Sequence, residues 1–255
     1  MKITHILITI LISISFLACE RDRFFKQDEL IKSDFISVKL DSNQYPDTEI
    51  EAVIIPYRVK MDSLMNEVVA YSVDEISKDK PNGALNNLIT DILLEEIKKT
   101  AEVEIDFCML NYGGLRRPLP AGNIIKTDVF QLMPFENEAV LVKLKAEAMH
   151  DLFSYLYESN GQPISNLEVH FTDSLLTQAI VNNVPWDSTR AYWVLTSDYT
   201  ANGGDKMYFF GQRDSLILTG VLIRDVIFTY LDSLQNNGIQ LNADTNARIF
   251  LQDLK

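Results

Sequence analysis

The sequence is poor in the residues that enzymes use to hold metal ions or to activate a nucleophile. Its 255 residues include three histidines and two cysteines. It contains no P-loop, HExxH zinc motif, GxSxG nucleophile motif or EF-hand calcium loop. His150 falls on a predicted helix and His170 on a predicted strand, without the spacing of metal ligands, so both are interpreted as structural. The chain therefore shows no metal site and no agent for hydrolysing an ester.

The scarcity of cysteine excludes a disulfide-rich fold. If Cys19 is modified, as argued below, Cys108 has no partner within the chain, and a hydrophobic core must stabilise the fold. Cys108 lies in the mostly apolar run at residues 105–110, with no histidine near it in sequence. We predict that it is a small buried hydrophobe rather than a nucleophile.

Positive charge is also scarce. The chain has 23 lysines and arginines against 36 aspartates and glutamates, a formal net charge of −13. Such a surface repels polyanions, which excludes a nucleic-acid polymer as a partner. The composition, 47% hydrophobic and 10% aromatic, is typical of a globular protein with a sizeable core.

The N-terminus has the anatomy of a secretory signal. Lys2 precedes an apolar stretch at residues 3–18 that is short for a membrane span, and Cys19 follows it. The residues 16–19 resemble the lipobox of bacterial lipoproteins. We predict a signal peptide at 1–18, lipidation of Cys19 and a tether at 19–47, which make a membrane-anchored lipoprotein, periplasmic or on the cell surface. An ordinary cleaved signal and an uncleaved anchor are the alternatives.

The remaining sequence alternates between helical and extended patterns. Apolar residues at helical spacing predict helices at 48–66, 85–100, 127–132, 146–157 and 219–234. Short apolar or alternating runs predict strands at 35–40, 68–73, 103–110, 139–144, 167–171, 179–181, 192–197 and 248–251. Because helices and strands interleave without a regular repeat, we predict an α+β fold of layered mixed sheets and helices rather than a doubly wound parallel sheet.

Three segments beside predicted strands combine glycine, proline, aromatic and polar residues. They are Asn-Tyr-Gly-Gly-Leu-Arg-Arg at 111–117, Met-Pro-Phe-Glu-Asn at 133–137 and Asp-Tyr-Thr-Ala-Asn-Gly-Gly-Asp at 198–205. Paired glycines let backbone N–H groups approach a ligand, and an arginine can fork onto a carboxylate or a phosphate. Two aromatic rings can hold a flat base, and a carboxylate can accept hydrogen bonds from a sugar. Taken singly, the first segment is more often a turn, and the second is more often a core phenylalanine beside a turn.

Together the three segments, in this order, resemble the C-terminal domain of the 5'-nucleotidase family, whose pattern is N-x-G-G-I-R, then P-F-x-N, then an aromatic followed by x-A-x-G-G-D. The resemblance implies one domain at 48–255 that binds the nucleoside part of a nucleotide. It implies that Asn111 and Arg116 hydrogen-bond the base or the ribose and phosphate edge, that Phe135 and Tyr199 stack on the two faces of the base, and that Asp205 holds ribose hydroxyls. The residues implied to contact the substrate are Asn111, Gly113, Gly114, Arg116, Phe135, Asn137, Tyr199, Asn202, Gly203, Gly204, Asp205 and Lys80.

The sequence departs from the family pattern in three places. Lys80 is the nearest equivalent of an arginine that members use on the phosphate side, Tyr199 replaces a frequent phenylalanine, and Lys206 stands where a third glycine is usual. Full-length members also carry an N-terminal metallophosphatase domain with two metal ions, and its Asp-x-His and Asn-His-Glu/Asp strings do not occur here.

We therefore expect a substrate-recognition half of an enzyme. It would work with a separate metallophosphatase subunit in nucleotide catabolism, with no cofactor in this chain and divalent metals in the partner only. A free-standing surface lipoprotein that binds nucleosides or nucleotides is the alternative, and a degenerate domain kept for interaction is a third.

Overall fold

The computed structural model describes residues 48–252. The predicted signal peptide, Cys19, the tether and the strand at 35–40 lie outside the described residues. The helices are α1 Thr48–Met65, α2 Ala84–Lys98, α3 Lys126–Leu132, α4 Ala146–Glu158, α5 Asp198–Ala201 and α6 Ile223–Asn236. The strands are β1 Val68–Ser72, β2 Phe107–Met109, β3 Gly122–Ile125, β4 Glu138–Leu144, β5 Ile164–Ser165, β6 Leu167–Thr172, β7 Leu175–Val181, β8 Val184–Pro185, β9 Tyr192–Ser197, β10 Arg213–Leu222 and β11 Ile249–Gln252.

A five-stranded mixed sheet organises the described residues, with strand order β10-β4-β9-β2-β5. β2 runs parallel to β9, whereas β4 runs antiparallel to both β9 and β10. A second sheet has the order β11-β6-β7-β8, with β11 parallel to β6, and a third consists of β1 and β3. Mixed sheets combined with helices confirm the predicted α+β fold.

The central sheet is covered on both faces, as the side chains of β4 show. Leu141 points into an apolar cluster that also contains residues of α2 and α6. Its neighbours Val140 and Val142 point into a second cluster, with residues of α4 and the four-stranded sheet. Because successive side chains of a strand point to opposite faces, one strand contributes to two cores. A register slip is disfavoured, since it would exchange the two sets of side chains.

The helix predicted at 48–66 is confirmed as α1, but its apolar spacing does not reflect a face packed on a core. No residue of α1 is buried, and Tyr57 and Val59 are 71% and 63% exposed. Pro56 lies inside the helix. Periodicity thus predicted the helix correctly, while the expected burial of one face is absent from the described residues.

The boundary of the last helix was predicted wrongly, because a strand was missed. Residues 219–222 belong to β10, and α6 begins at Ile223. β10 is an edge strand with most of its residues exposed, so it lacks the alternation that marks a half-buried strand. The Thr219 hydroxyl donates to the Ala139 carbonyl at 2.6 Å, and Gly220 has a φ of +71°. Both features hold this segment outside the helix.

A partly buried ion pair ties α2 to the start of β11. The guanidinium of Arg248 donates to both carboxylate oxygens of Asp91, at 2.9 and 2.6 Å, and to Asp244 at 3.0 Å. The Ser165 hydroxyl donates to Asp91 as well. The Arg248 side chain is only 13% exposed, so removal of its main partner would leave a buried cation under-compensated.

We predict that Asp91→Asn lowers the free energy of unfolding by about 2 kcal/mol, because the amide cannot balance the Arg248 charge. Denaturant unfolding followed by circular dichroism measures this change. Glu95→Gln on the same helix is the control: its pair with Lys99 spans 3.8 Å between exposed side chains, and its loss should cost less than about 0.5 kcal/mol. Equal effects of the two substitutions would contradict a structural role for the Asp91–Arg248 pair.

Candidate functional site

Strand pairing in the central sheet brings the three glycine- and proline-containing segments together. Segment 111–117 follows the end of β2, and segment 198–205 follows the end of β9, its parallel neighbour. Segment 133–137 precedes β4, whose residue Ala139 pairs with Ser197 at the end of β9. Because β4 runs antiparallel to β9, its beginning lies at the edge where β9 ends. All three segments therefore meet at one edge of the sheet.

A cavity of about 220 Å³ opens where these segments meet. Eight of the predicted contact residues line it: Asn111, Gly113, Gly114, Arg116, Phe135, Asn137, Tyr199 and Asp205. The predicted residues Asn202, Gly203, Gly204 and Lys80 are not part of this lining. The contact of any of the twelve with a ligand stays a prediction.

The two predicted stacking rings are available to a ligand. Phe135 is 44% exposed and Tyr199 is 45% exposed, and both line the same cavity instead of pointing into the apolar interior. The guanidinium of Arg116 lies 5.8 Å from the centre of the Phe135 ring, within the range of a cation–π contact. Its Nη1 also donates to the Gly113 carbonyl at 3.3 Å. The cavity therefore combines two ring surfaces with one cation.

Asp205 is the most extensively hydrogen-bonded residue of the cavity. Its Oδ2 accepts from the buried Asn111 amide at 2.7 Å, and its Oδ1 accepts from the Tyr199 hydroxyl at 2.8 Å. The Asp205 backbone N–H donates to the Tyr199 oxygen at 3.2 Å, and its carbonyl accepts from Tyr155 at 2.8 Å. These bonds hold a left-handed backbone, with a φ of +51°, that aspartate seldom adopts.

Two glycines allow these side chains to approach closely. A β-carbon at Gly114 would lie 2.9 Å from Oδ1 of Asn111, closer than normal carbon–oxygen contacts allow. A β-carbon at Gly204 would overlap the ring of Tyr199. Gly204 thus shapes the cavity from behind the ring, although it does not line the cavity. The neighbouring Gly203 has a φ of +88°, which favours glycine.

Arg224, at the start of α6, fixes the Phe135 segment and was given no role in the sequence analysis. Its buried side chain donates to the carbonyls of Met133 and Phe135, at 3.2 and 3.4 Å, and its guanidinium lies 4.3 Å from the centre of the Phe130 ring. The signal in the sequence is an arginine among apolar residues of a predicted helix. A cation at such a position requires partners that the local sequence does not reveal.

The sequence profile described as "5'-nucleotidase, C-terminal domain" matches residues 67–212. This chain belongs to that family. The apyrase of Aedes aegypti is 21% identical over 235 residues, which cover 83% of this chain and 41% of the apyrase. Protein UshA of Escherichia coli strain K12 is 24% identical over 162 residues, or 62% of this chain and 29% of UshA. The chain thus spans less than half the length of these curated relatives.

Solved structures share the fold at low sequence identity. The 5'-nucleotidase precursor of Thermus thermophilus superposes with a TM-score of 0.67 at 22% identity, covering 81% of this chain and 43% of that protein. The NAD nucleotidase of Haemophilus influenzae gives a TM-score of 0.61 at 16% identity, and the superposition covers 82% of this chain and 42% of the nucleotidase. At these identities the likeness shows the fold of the 5'-nucleotidase C-terminal domain.

Two lysines precede α2, and they have different partners. Lys80 was predicted from the family pattern, whereas Lys78 was not. The ammonium of Lys80 donates to the Ser159 carbonyl and lies 5.0 Å from the centre of the Tyr112 ring. Lys78 lies 4.1 Å from the same ring and donates to the carbonyls of Tyr112 and Leu115 at 3.2 and 2.5 Å.

Lys78 therefore anchors the segment at 111–117 by hydrogen bonds to two of its backbone carbonyls, and it does not line the cavity. Burial, followed by the charges of Arg116 and Lys80, lowers the pKa of the Lys78 ammonium. Burial also lowers the pKa of Lys80. Three cationic side chains thus lie beside one cavity of an acidic chain, although only Arg116 lines it.

Three polar residues near the family motifs, Asn82, Lys206 and Asn202, do not line the cavity. Asn82 accepts from the backbone N–H groups of Arg248 and Ile249 and donates to the Ile249 carbonyl, so it anchors β11. Lys206 has a φ of +65°, a conformation that the glycine usual at this position adopts without strain. Asn202 donates to the Asp198 carbonyl at 2.9 Å and so closes α5.

The remaining polar candidates of the sequence lie away from the cavity. Cys108 is fully buried, as predicted, and burial raises the pKa of its thiol far above the ordinary value. His150 packs edge-on against Trp186, whereas His170 stacks on Phe250 and contacts Glu168. Among residues 48–252, no three His, Cys, Asp or Glu side chains cluster as metal ligands, and no helix is long and apolar enough to cross a membrane.

We predict that Gly204→Ala weakens ligand binding at this cavity at least tenfold, because the added methyl displaces the Tyr199 ring. Calorimetry with adenosine measures the affinity. Gly211→Ala is the matched control, since its β-carbon would meet no atom within 4 Å. An unchanged affinity of the Gly204 variant would show that the position of the ring does not matter.

Proposed function

We propose that this chain is the nucleotide-recognition part of a 5'-nucleotidase-type phosphohydrolase. The base of the nucleotide would lie between Phe135 and Tyr199, and the sugar hydroxyls would hydrogen-bond to Asp205. One observation carries the proposal: two half-exposed aromatic rings and a hydrogen-bonded carboxylate, from distant parts of the chain, line one cavity. The names of the Thermus 5'-nucleotidase and the Haemophilus NAD nucleotidase support a nucleotide as the ligand.

The dimensions and chemistry of the cavity favour part of a nucleotide over a whole one. Its volume of about 220 Å³ is below the roughly 300 to 1,000 Å³ of sites that enclose a drug-sized molecule. Stacking between two rings suits any flat base, because every base presents a π-face. The base would thus be held while the rest of the molecule extends out of the cavity.

The phosphate side of the nucleotide would face Arg116. Its guanidinium offers the fork geometry that suits phosphate oxygens, and the ammonium of Lys78 adds positive charge next to it. In a chain with a net charge of −13, this local excess of cations makes an anion more favourable here than elsewhere.

The hydrolytic chemistry would come from a separate metallophosphatase subunit. Residues 48–252 do not fit a two-metal site, since no cluster of three or more metal-binding side chains occurs among them. A metal-free hydrolysis would need an activated nucleophile, and Cys108, the one thiol in the described residues, is buried and held protonated. In this proposal the chain supplies recognition, and divalent metals bind to the partner.

The proposed location is a membrane face, through a lipid on Cys19. The apolar stretch at residues 3–18 and the lipobox-like residues 16–19 support this location. Metabolic labelling with a fatty acid, comparing the natural chain with Cys19→Ser, tests it. Loss of label in the variant is expected, and an unlabelled natural chain would contradict it.

We predict that Phe135→Ala weakens adenosine binding by about 5- to 150-fold, because stacking on an aromatic side chain contributes roughly 1–3 kcal/mol per base. Isothermal titration calorimetry on the full chain measures the affinity. Phe250→Ala serves as the control, since Phe250 is also partly exposed but stacks on His170 in the four-stranded sheet. Equal affinities of the Phe135 variant and the natural chain would refute the stacking role.

Reconstitution separates the enzyme part from a free-standing binding protein. The natural chain, mixed with a candidate metallophosphatase and Mn²⁺, is expected to raise phosphate release from AMP above that of the phosphatase alone. Tight nucleoside binding without any gain in phosphate release would instead favour a surface binding lipoprotein. If neither is found, a nucleotide-related function is excluded.

A further inference from the structure

The hydroxyl group of Tyr199 does something that a phenylalanine ring at this position cannot do. It donates to Oδ1 of Asp205 at 2.8 Å and accepts from the Asp205 backbone N–H at 3.2 Å. The same residue therefore presents its ring to the cavity and binds the neighbouring carboxylate by its edge. The ring is seated against Gly204, which fixes where the hydroxyl points.

The two oxygens of Asp205 are engaged by different donors. Asn111 occupies one direction on Oδ2, and Tyr199 occupies one direction on Oδ1. A carboxylate offers about four lone-pair directions, two on each oxygen. One acceptor direction thus remains on each oxygen, and Asp205 is one of the residues that line the cavity.

Two acceptor directions, one on each oxygen of the same carboxylate, suit two hydroxyl donors on adjacent carbons. The 2'- and 3'-hydroxyls of a ribose form such a pair, and a sugar without them would leave both directions unfilled. Asn111 by itself holds one oxygen and leaves the carboxylate free to rotate. The second bond, from Tyr199, fixes its plane before the ligand arrives, which lowers the entropic cost of binding.

We propose that Tyr199 is a positioning residue whose hydroxyl holds the Asp205 carboxylate in the orientation that accepts both hydroxyls of a vicinal diol. The cavity would then discriminate ribonucleosides from nucleosides that lack the diol. This inference rests on the proposed function, which already assigns the sugar hydroxyls to Asp205, and adds the positioning role of the Tyr199 hydroxyl.

The test compares two ligands on the full chain by calorimetry: adenosine, which carries the diol, and 2',3'-dideoxyadenosine, which does not. Tyr199→Phe keeps the ring and removes only the hydroxyl. We expect this variant to weaken adenosine binding about five- to tenfold and to change dideoxyadenosine binding less than twofold. The reason is that only adenosine has the diol whose hydrogen bonds depend on the orientation of the Asp205 carboxylate.

Tyr208→Phe is the matched control. Tyr208 follows α5 in the chain, begins the 3-10 turn at Tyr208–Gln212, is 72% exposed, and makes no hydrogen bond through its hydroxyl with the described residues. Its substitution should leave both affinities unchanged.

A double variant shows whether the hydroxyl acts through Asp205. Where Asp205→Ala has removed the carboxylate, Tyr199→Phe should have no further effect on adenosine binding, because the group it positions is gone. A loss that persists in this background would overturn the inference.

Two other outcomes would also overturn it. If Tyr199→Phe weakens both ligands equally, the hydroxyl positions the ring rather than the carboxylate. If adenosine binding is unchanged, the hydroxyl does not prepare the site. If it is tightened, the hydroxyl competes with the sugar for the carboxylate. Failure of the proposed function looks different, since the natural chain would then bind neither ligand.

Discussion

The pairing of β9 with β2 on one side and with β4 on the other is the constraint on which the cavity depends. The parallel pair Cys108 and Leu195 aligns the ends of β2 and β9, and the antiparallel pair Ala139 and Ser197 places the start of β4 beside them. These strands are buried on both faces, so a shift in register by one residue would move each side chain into the opposite apolar cluster, where the neighbouring side chains have different shapes. The strong preference for one register thus holds three loops at one edge of the sheet.

Two basic side chains that do not line the cavity hold these loops by donating hydrogen bonds to backbone carbonyls. Lys78 supports the loop after β2, and Arg224 supports the loop before β4. Each lies among groups that limit its contact with water, so its charge favours bonds to protein oxygens over solvent. The groups facing the cavity are therefore preorganised by residues that do not contact it. This arrangement suits recognition, because binding then orders fewer side chains.

Asp205 lines the cavity and also holds together the residues around it. Its carboxylate, backbone N–H and carbonyl bind three other side chains, and its left-handed backbone is held by those bonds. The hydrogen bond to Asp205 also raises the pKa of the Tyr199 hydroxyl. Arg116 lines the same cavity, so one acidic and one basic side chain are present there.

Much of this architecture could be predicted because its signals are local. The helical spacing over α2 and the apolar run of β4 are set by which face each residue must bury. The three motifs together contained the eight predicted residues that line the cavity, whereas their contact with a ligand stays a prediction. Local signals failed where the burial of residues does not follow the apolar pattern of the sequence. The exposed β10 shows no alternation, so it was missed and its last four residues, 219–222, were assigned to the final helix. The apolar spacing of α1 predicted a helix but not its exposure.

The sequence by itself determined the α+β class, the family and the residue types of the cavity. Tertiary structure decided that Lys78 rather than Lys80 supports the first loop, that Arg224 anchors the second, and that Tyr199 shares a hydrogen bond with Asp205. The physical reason is that each contact depends on packing and not on a local sequence pattern. Lys78, Lys80 and Arg224 bond residues far away along the chain, whereas Tyr199 and Asp205 are only six residues apart. These contacts join residues brought together by strand pairing and by the close approach that Gly204 permits, and neither leaves a periodic trace in the sequence.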